Sequence, residues 1–296
     1  MRRSDYERQP APEFLFEPRP LRRWPPAAPQ PGQSFIVAAN QPAHRAIRHE
    51  ERAIPGGDAS ILTITSDPYN SIAVVAGDEP NWKLFFLAEG GGETEAEAEQ
   101  RLQGCLFGVT GSTVSLSRPD KFVGLNASSE LVVEAPRDAG VVIHASYAAV
   151  QVRDLAGPVR IAATHARATV LNTSGQVDVT AAVVDFAGSC GRITLSAEAE
   201  INLKITAPEF DGTMLAWAQR SVRMLVPAGF GTFFKAIVDT RDDFVCRAEF
   251  QSKVKESRQG ELYVYTYDIS ADRTRAHLQL RSEASTVVVD QLGHAQ

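Results

Sequence analysis

Residues 141–205, VVIHASYAAVQVRDLAGPVRIAATHARATVLNTSGQVDVTAAVVDFAGSCGRITLSAEAEINLKI, read as a succession of very short strands. Val150-Gln151-Val152, Val159-Arg160-Ile161, Ala168-Thr169-Val170, Val177-Asp178-Val179, Ile193-Thr194-Leu195 and Ile201-Asn202-Leu203-Lys204-Ile205 each alternate in, out, in. The first four begin about nine residues apart, and Gly157, Gly175 and Gly191 recur at about twice that spacing, which makes two strands one unit of about 18 residues. A single unit cannot bury its apolar side alone, so the units must stack as rungs and the two ends of the stack must be capped. The expected fold is all-β, a β-solenoid of stacked short strands, and the pattern extends the solenoid over residues 126–290.

Residues 34–125 read as a β-rich N-terminal cap. Strands are expected at Ile61–Thr65, Ile72–Val75, Trp82–Leu87 and Ser112–Ser117, separated by turn clusters such as Asp67-Pro68-Tyr69-Asn70 and Gly77-Asp78-Glu79-Pro80. One helix is predicted near 94–103. Thr94 is its N-cap, Glu97 completes a capping box, Ala98, Leu102 and Cys105 share a face, and Gly104 marks the stop. Glu93, Glu95 and Glu97 suit the positive end of the helix dipole, so this acidic run has a local explanation. Beyond Pro208 strands are expected at Ser221–Val226, Thr232–Val238, Phe244–Phe250, Glu261–Tyr267, Ala276–Leu280 and Thr286–Val289, continuing the same sheets.

Residues 1–33 form an arm of another kind. Pro10, Pro12, Pro18, Pro20, Pro25, Pro26, Pro29 and Pro31 exclude a helix or a central strand. Phe14, Leu15, Phe16, Leu21 and Trp24, interleaved with Arg19, Arg22 and Arg23, are more apolar and basic than a solvating tail needs. A proline-fixed segment has little entropy left to lose on docking. Phe14, Phe16, Arg19, Leu21, Arg22, Arg23 and Trp24 are therefore the candidate partner-binding residues, and the expected partner is a larger protein assembly, whether or not it is membrane-associated.

The composition, 44% hydrophobic and 22% charged, is that of a globular chain. A net charge of −6 and a pI near 5.6 argue against nucleic acid as a partner. Cys105, Cys190 and Cys246 are odd in number and outside any zinc spacing, which makes buried thiols the expectation. Met1-Arg2-Arg3 is followed by Ser4-Asp5-Tyr6-Glu7 rather than by an apolar core, so no Sec signal peptide is expected. No run approaches the roughly 18 apolar residues of a membrane span. A cytoplasmic position, or one peripheral to a membrane complex, follows, with envelope or extracellular as the alternative.

Candidate chemistry is sparse. Acid–base cleavage of a polysaccharide on a solenoid needs carboxylates converging from adjacent rungs, and the aligned rungs offer only Asp154 and Asp178. His144 and His165 fall about one unit apart but lack a third ligand. Gly90-Gly91-Gly92 lacks the Lys-Ser/Thr of a phosphate loop and reads as a hinge or turn, and Gly188-Ser189-Cys190-Gly191 reads as a β turn. Tyr263, Tyr265 and Tyr267 alternate on one strand face, where cross-sheet packing is expected. No catalytic residue, metal site or cofactor is predicted.

Several landmarks in order resemble the family called "putative adhesin" β-strand-repeat proteins, or toast-rack domains. These are the strand pair Ile61–Val75, the acidic helix Glu93–Leu102, the strand Ser112–Ser117, the segment Asp154-Leu155-Ala156-Gly157-Pro158-Val159-Arg160-Ile161, and the closing Leu280–Val289. The resemblance spans about residues 55–290 and implies a non-catalytic repeat fold with no cofactor. Two features depart from it. Turns such as Ser146-Tyr147-Ala148, Thr164-His165-Ala166 and Ala181-Ala182-Val183 lack the family's glycine or asparagine, and the arm stands where members tend to be secreted or tethered. The expected function is that of a non-enzymatic accessory subunit docking through its arm; a cell-surface or envelope adhesin is the alternative, and a polysaccharide-active enzyme the third.

Overall fold

A computed structural model describes residues 42–58, 60–67, 70–117, 127–268 and 277–292. In chain order the strands are β1 (His44–Ile54), β2 (Ile61–Ser66), β3 (Asn70–Gly77), β4 (Trp82–Gly92), β5 (Leu106–Thr110), β6 (Thr113–Ser117), β7 (Ala127–Pro136), β8 (Gly140–Ser146), β9 (Ala149–Arg153) and β10 (Val159–Leu171). They continue with β11 (Gln176–Gly188), β12 (Cys190–Ile205), β13 (Asp211–Ala218), β14 (Ser221–Val226), β15 (Phe233–Val238), β16 (Phe244–Cys246), β17 (Lys255–Gln259), β18 (Leu262–Tyr267), β19 (His277–Ser282) and β20 (Val287–Gln291). Among the described residues the single α-helix, α1, is Glu95–Gln103, and no helix is long and apolar enough to cross a membrane.

The all-β solenoid expected from the repeat is present. Each rung is two strands joined by a corner, and like strands stack in parallel register, so Val141, Val159, Val177 and Ile193 lie one above another in a first sheet. Val152, Val170, Phe186, Leu203 and Met224 do the same in a second. β10, β11 and β12 run through the corner as single bent strands with a register shift there, for instance between Ala163 and Arg167. The inward residues of both sheets are almost wholly buried and form one continuous core.

The corners show what replaces the missing glycines. Tyr147 and His165 take positive φ (48° and 52°) within successive rungs, and Asp154 and Asn172 (63° and 52°) do so between rungs. The left-handed corner is thus kept, with Tyr and His accepting its steric cost. The ladder runs through it: the Tyr147 N–H donates to the Thr164 carbonyl, and the Asn172 N–H to the Ala187 carbonyl. The recurring glycines mark a second need, close approach, to which Gly191 adds a positive φ of 120°. At Gly157, Gly175 and Gly191 the backbones of neighbouring rungs come so close that a Cβ on Gly191 would sit 2.8 Å from the Gly175 carbonyl oxygen.

The order of rungs along the stack is not the order of the chain. β2–β3 lies between β6–β7 and β8–β9, because β2 pairs with both β6 and β8, and β3 with both β7 and β9. At the other end β19–β20 lies between β13–β14 and β15–β16. Both ends are therefore interleaved.

Two different caps close the core. At one end β4 and β1 add antiparallel to the second sheet, β5 adds to the first, and α1 sits on the inner side of β4. The helix starts as expected, with Thr94 Oγ1 accepting from the Glu97 N–H at 3.2 Å, and its Ala98 and Leu102 are buried together with Cys105. Glu97 reaches back to the Glu93 N–H, one residue earlier than a standard capping box. Gly90-Gly91-Gly92 is not a hinge or turn: it ends β4, and a Cβ on Gly90 would overlap the Ala98 carbonyl oxygen, so these glycines seat the helix. At the other end Phe230, Phe234, Phe250 and Tyr267 fill the core, with the Phe250 and Tyr267 rings stacked at 4.1 Å. The strand expected at Phe244–Phe250 stops at Cys246, because the chain turns to bring Phe250 inward.

This aromatic cap bears on pH. Tyr265 and Tyr267 hydroxyls donate to the carbonyls of Arg241 and Phe230, and burial raises the pKa of both tyrosines and of Cys246 above their ordinary values. The folded state therefore favours the neutral forms, and this stability is complete below the unfolded thiol and phenol pKa values and lost as pH rises above them. Urea midpoints are expected to hold to about pH 8.5 and then fall, less steeply in Tyr267→Phe. An equal slope in that variant would show that Tyr267 does not contribute.

Candidate binding faces

Alternation along the strands gives each sheet an outer face. On the first sheet one outward column runs Thr63, Val142, Arg160, Asp178, Thr194, Leu215, Gln279, and its neighbour runs Thr65, His144, Ala162, Thr180, Ser196, Trp217, Arg281. Six of these fourteen residues are Thr, Ser or Ala, and Thr65, Ala162, Thr180 and Thr194 are exposed. Leu215 is 42% exposed, and Trp217 lies half-buried between Ser196 and Arg281. Gln176 Nε2 donates to Asp178 Oδ2 at 2.9 Å, while Arg160 stands 3.9 Å from the same carboxylate. Because a packed nine-rung core backs this face, its side chains hold fixed spacings of about 4.8 Å from rung to rung.

The second sheet's outer face carries ionic staples. Asp185 is buried; Arg167 Nη1 donates to its Oδ2 at 2.6 Å and Asn202 Nδ2 to its Oδ1 at 2.9 Å, joining three successive rungs. Asp290 accepts from Arg223 at 3.0 Å and from Arg247 at 2.7 Å. Each carboxylate is held by a guanidinium group and ties neighbouring rungs together. Neither was singled out in the sequence, although Asp185 interrupts the apolar run Val183-Val184-Asp185-Phe186-Ala187, which was the available signal.

The residues singled out from sequence do not converge. His144 lies in β8 on the first outer face, whereas His165 is at a corner, its ring 5.0 Å from Tyr147 and its Nδ1 3.5 Å from Glu198. The two histidines are on neighbouring rungs but in different columns. Asp154 is at a corner, where its carboxylate accepts from Asn172 at 3.3 Å, and Asp178 is on the first face. Among the described residues no group of three His, Cys, Asp or Glu side chains is arranged to hold a metal ion. Tyr265 and Tyr267 pack in the core as expected, and Tyr263 lies under Arg258. Phe14, Phe16, Arg19, Leu21, Arg22, Arg23 and Trp24 lie outside the described residues.

No protein-family model matches the sequence. No curated protein matches it. Among solved structures, a "putative cell adhesion protein" from Clostridium sporogenes ATCC 15579 is similar with a TM-score of 0.34 and 9% identity, over 83% of this chain and 99% of that one. A "putative adhesin" from Bacteroides fragilis NCTC 9343 is similar with a TM-score of 0.27 and 10% identity, over 83% of this chain and 97% of that one. Another "putative adhesin", from Parabacteroides merdae ATCC 43184, is similar with a TM-score of 0.26 and 9% identity, over 83% of this chain and 96% of that one.

Proposed function

We propose that the protein is a non-enzymatic, adhesin-like binding module that presents the outer face of its first sheet to a macromolecular partner. The observation that carries this is the state of that face: on successive rungs Thr65, Ala162, Thr180 and Thr194 stand exposed, with exposed Leu215 and half-buried Trp217 beside them. A rigid, hydrogen-bonding surface with an aromatic and an apolar anchor binds extended partners at little ordering cost.

The triple variant Thr180→Lys, Thr194→Lys, Leu215→Glu alters only outward positions and is expected to leave the thermal midpoint within a few degrees of the parent. It should reduce binding to immobilised extracellular-matrix proteins and to a glycan array about ten-fold or more. Undiminished binding by the variant, or no binding by the parent protein, would overturn the proposal. Loss of binding only on deletion of residues 1–33 would select the accessory-subunit alternative, in which the arm docks onto an assembly.

A further inference from the structure

The two kinds of corner carry residues of different chemistry. Between rungs the left-handed positions are Asp154 and Asn172, residue types that take this region readily, and their side chains bond each other at 3.3 Å. Within rungs they are Tyr147 and His165. His is tolerated there, but a bulky Tyr is a costly choice that Gly or Asn would avoid. Burial does not recover that cost. Tyr147 is 50% exposed and the His165 side chain 53%, with their ring centroids 5.0 Å apart and their planes tilted by 35°. Strain held at an exposed aromatic residue is a feature of binding sites rather than of packing. The next two rungs complete the corner. Ala182 occupies it on the rung after His165, and its methyl group leaves a notch; Glu198 follows on the rung beyond. Glu198 Oε2 lies 3.5 Å from His165 Nδ1 across that notch, and the Glu198 side chain is 47% exposed.

We propose that Tyr147, His165 and Glu198 form a binding site for the pyranose units of a neutral glycan. A pyranose has a face of C–H groups, which packs on an aromatic ring, and an edge of adjacent hydroxyls, which an imidazole and a carboxylate can hydrogen-bond together. The corner supplies these groups in line along the stack: the Tyr147 ring as platform, then the His165 imidazole, then the Glu198 carboxylate beyond the Ala182 notch. The exposed Thr164 hydroxyl stands next to His165. The negative charge of Glu198 disfavours acidic sugars, which selects neutral ones. From the rung of Tyr147 to that of Glu198 is three spacings, about 14 Å, longer than one sugar ring, so the expected ligand is a chain and not a monosaccharide. The packed core behind the corner fixes these spacings before the ligand arrives. This site lies at the corner, apart from the first-sheet face proposed above, and does not rest on it.

Titration calorimetry of the full chain tests the proposal, with a panel of neutral oligosaccharides offered free in solution and displayed on an albumin carrier. Binding is expected in at least one form, and the form that binds distinguishes a free polysaccharide from a glycoprotein as the source. Tyr147→Gly should weaken that binding about ten-fold or more, while its urea midpoint stays at the parent value or rises, because glycine relieves the left-handed strain. Glu198→Gln, which keeps the shape and removes the charge, should weaken binding about three-fold or more. The triple variant of the first-sheet face should bind these oligosaccharides as the parent does, which keeps the two sites distinguishable. No binding by the parent protein, or undiminished binding by Tyr147→Gly, would overturn the proposal. A lowered urea midpoint in Tyr147→Gly would overturn it too, because the ring would then serve the fold.

Discussion

Truncation after Asp268 is expected to destroy the cooperative fold, not to yield a shorter solenoid. In an ordinary repeat stack the last rung of the chain is the last rung of the stack, and its loss leaves the others paired. Here β19 and β20 lie between β13–β14 and β15–β16, so their removal separates the aromatic cap from the remaining rungs. Leu278, Leu280, Val287 and Val289 are all 0% exposed. Burying four such side chains is worth about 6–12 kcal/mol. That is the scale of an entire domain's stability. The truncated chain is expected to lose its sharp urea transition and to be cut by proteases within residues 233–267. A transition at the parent midpoint would contradict the interleaved order.

Phe186→Ala has the second-largest expected effect. Phe186 stands in the middle of the second sheet's inward column, between Val170 and Leu203, and is fully buried. Its ring approaches Gly188 so closely that a Cβ there would be 3.0 Å from it. Rungs on both sides prevent collapse into the vacated space, so the cost should lie near 3–5 kcal/mol. Phe186→Leu, which keeps most of the volume, should cost under half as much. Denaturant midpoints of the two variants against the parent check this, and a loss below about 1 kcal/mol in Phe186→Ala would mean that the core relaxes freely.

The central rungs were legible because inward pairs such as Val177 and Val179 repeat at nearly constant spacing, and the helix because its caps are written in Thr94 and Glu97. The order of the end rungs was not. Ile61–Ser66 and His277–Ser282 alternate like any other strand, and alternation states which side chains face inward but not which rung lies next door. β1 and β17 went unread for another reason. As edge strands they carry charge on both faces, as in Lys255-Glu256-Ser257-Arg258-Gln259, which removes the apolar signal and also discourages pairing with other molecules.

The interleaved ends also limit how such a protein can evolve. Solenoids usually gain or lose length by tandem duplication at a terminus. In this chain a copy appended after β20 would begin in the interior of the stack, and one added before β2 would meet β6 or β8 already in place. Copy-number change is open only to the middle of the gene, where β10, β11 and β12 follow one another in both sequence and space. The two ends act as bookends that each generation must inherit whole.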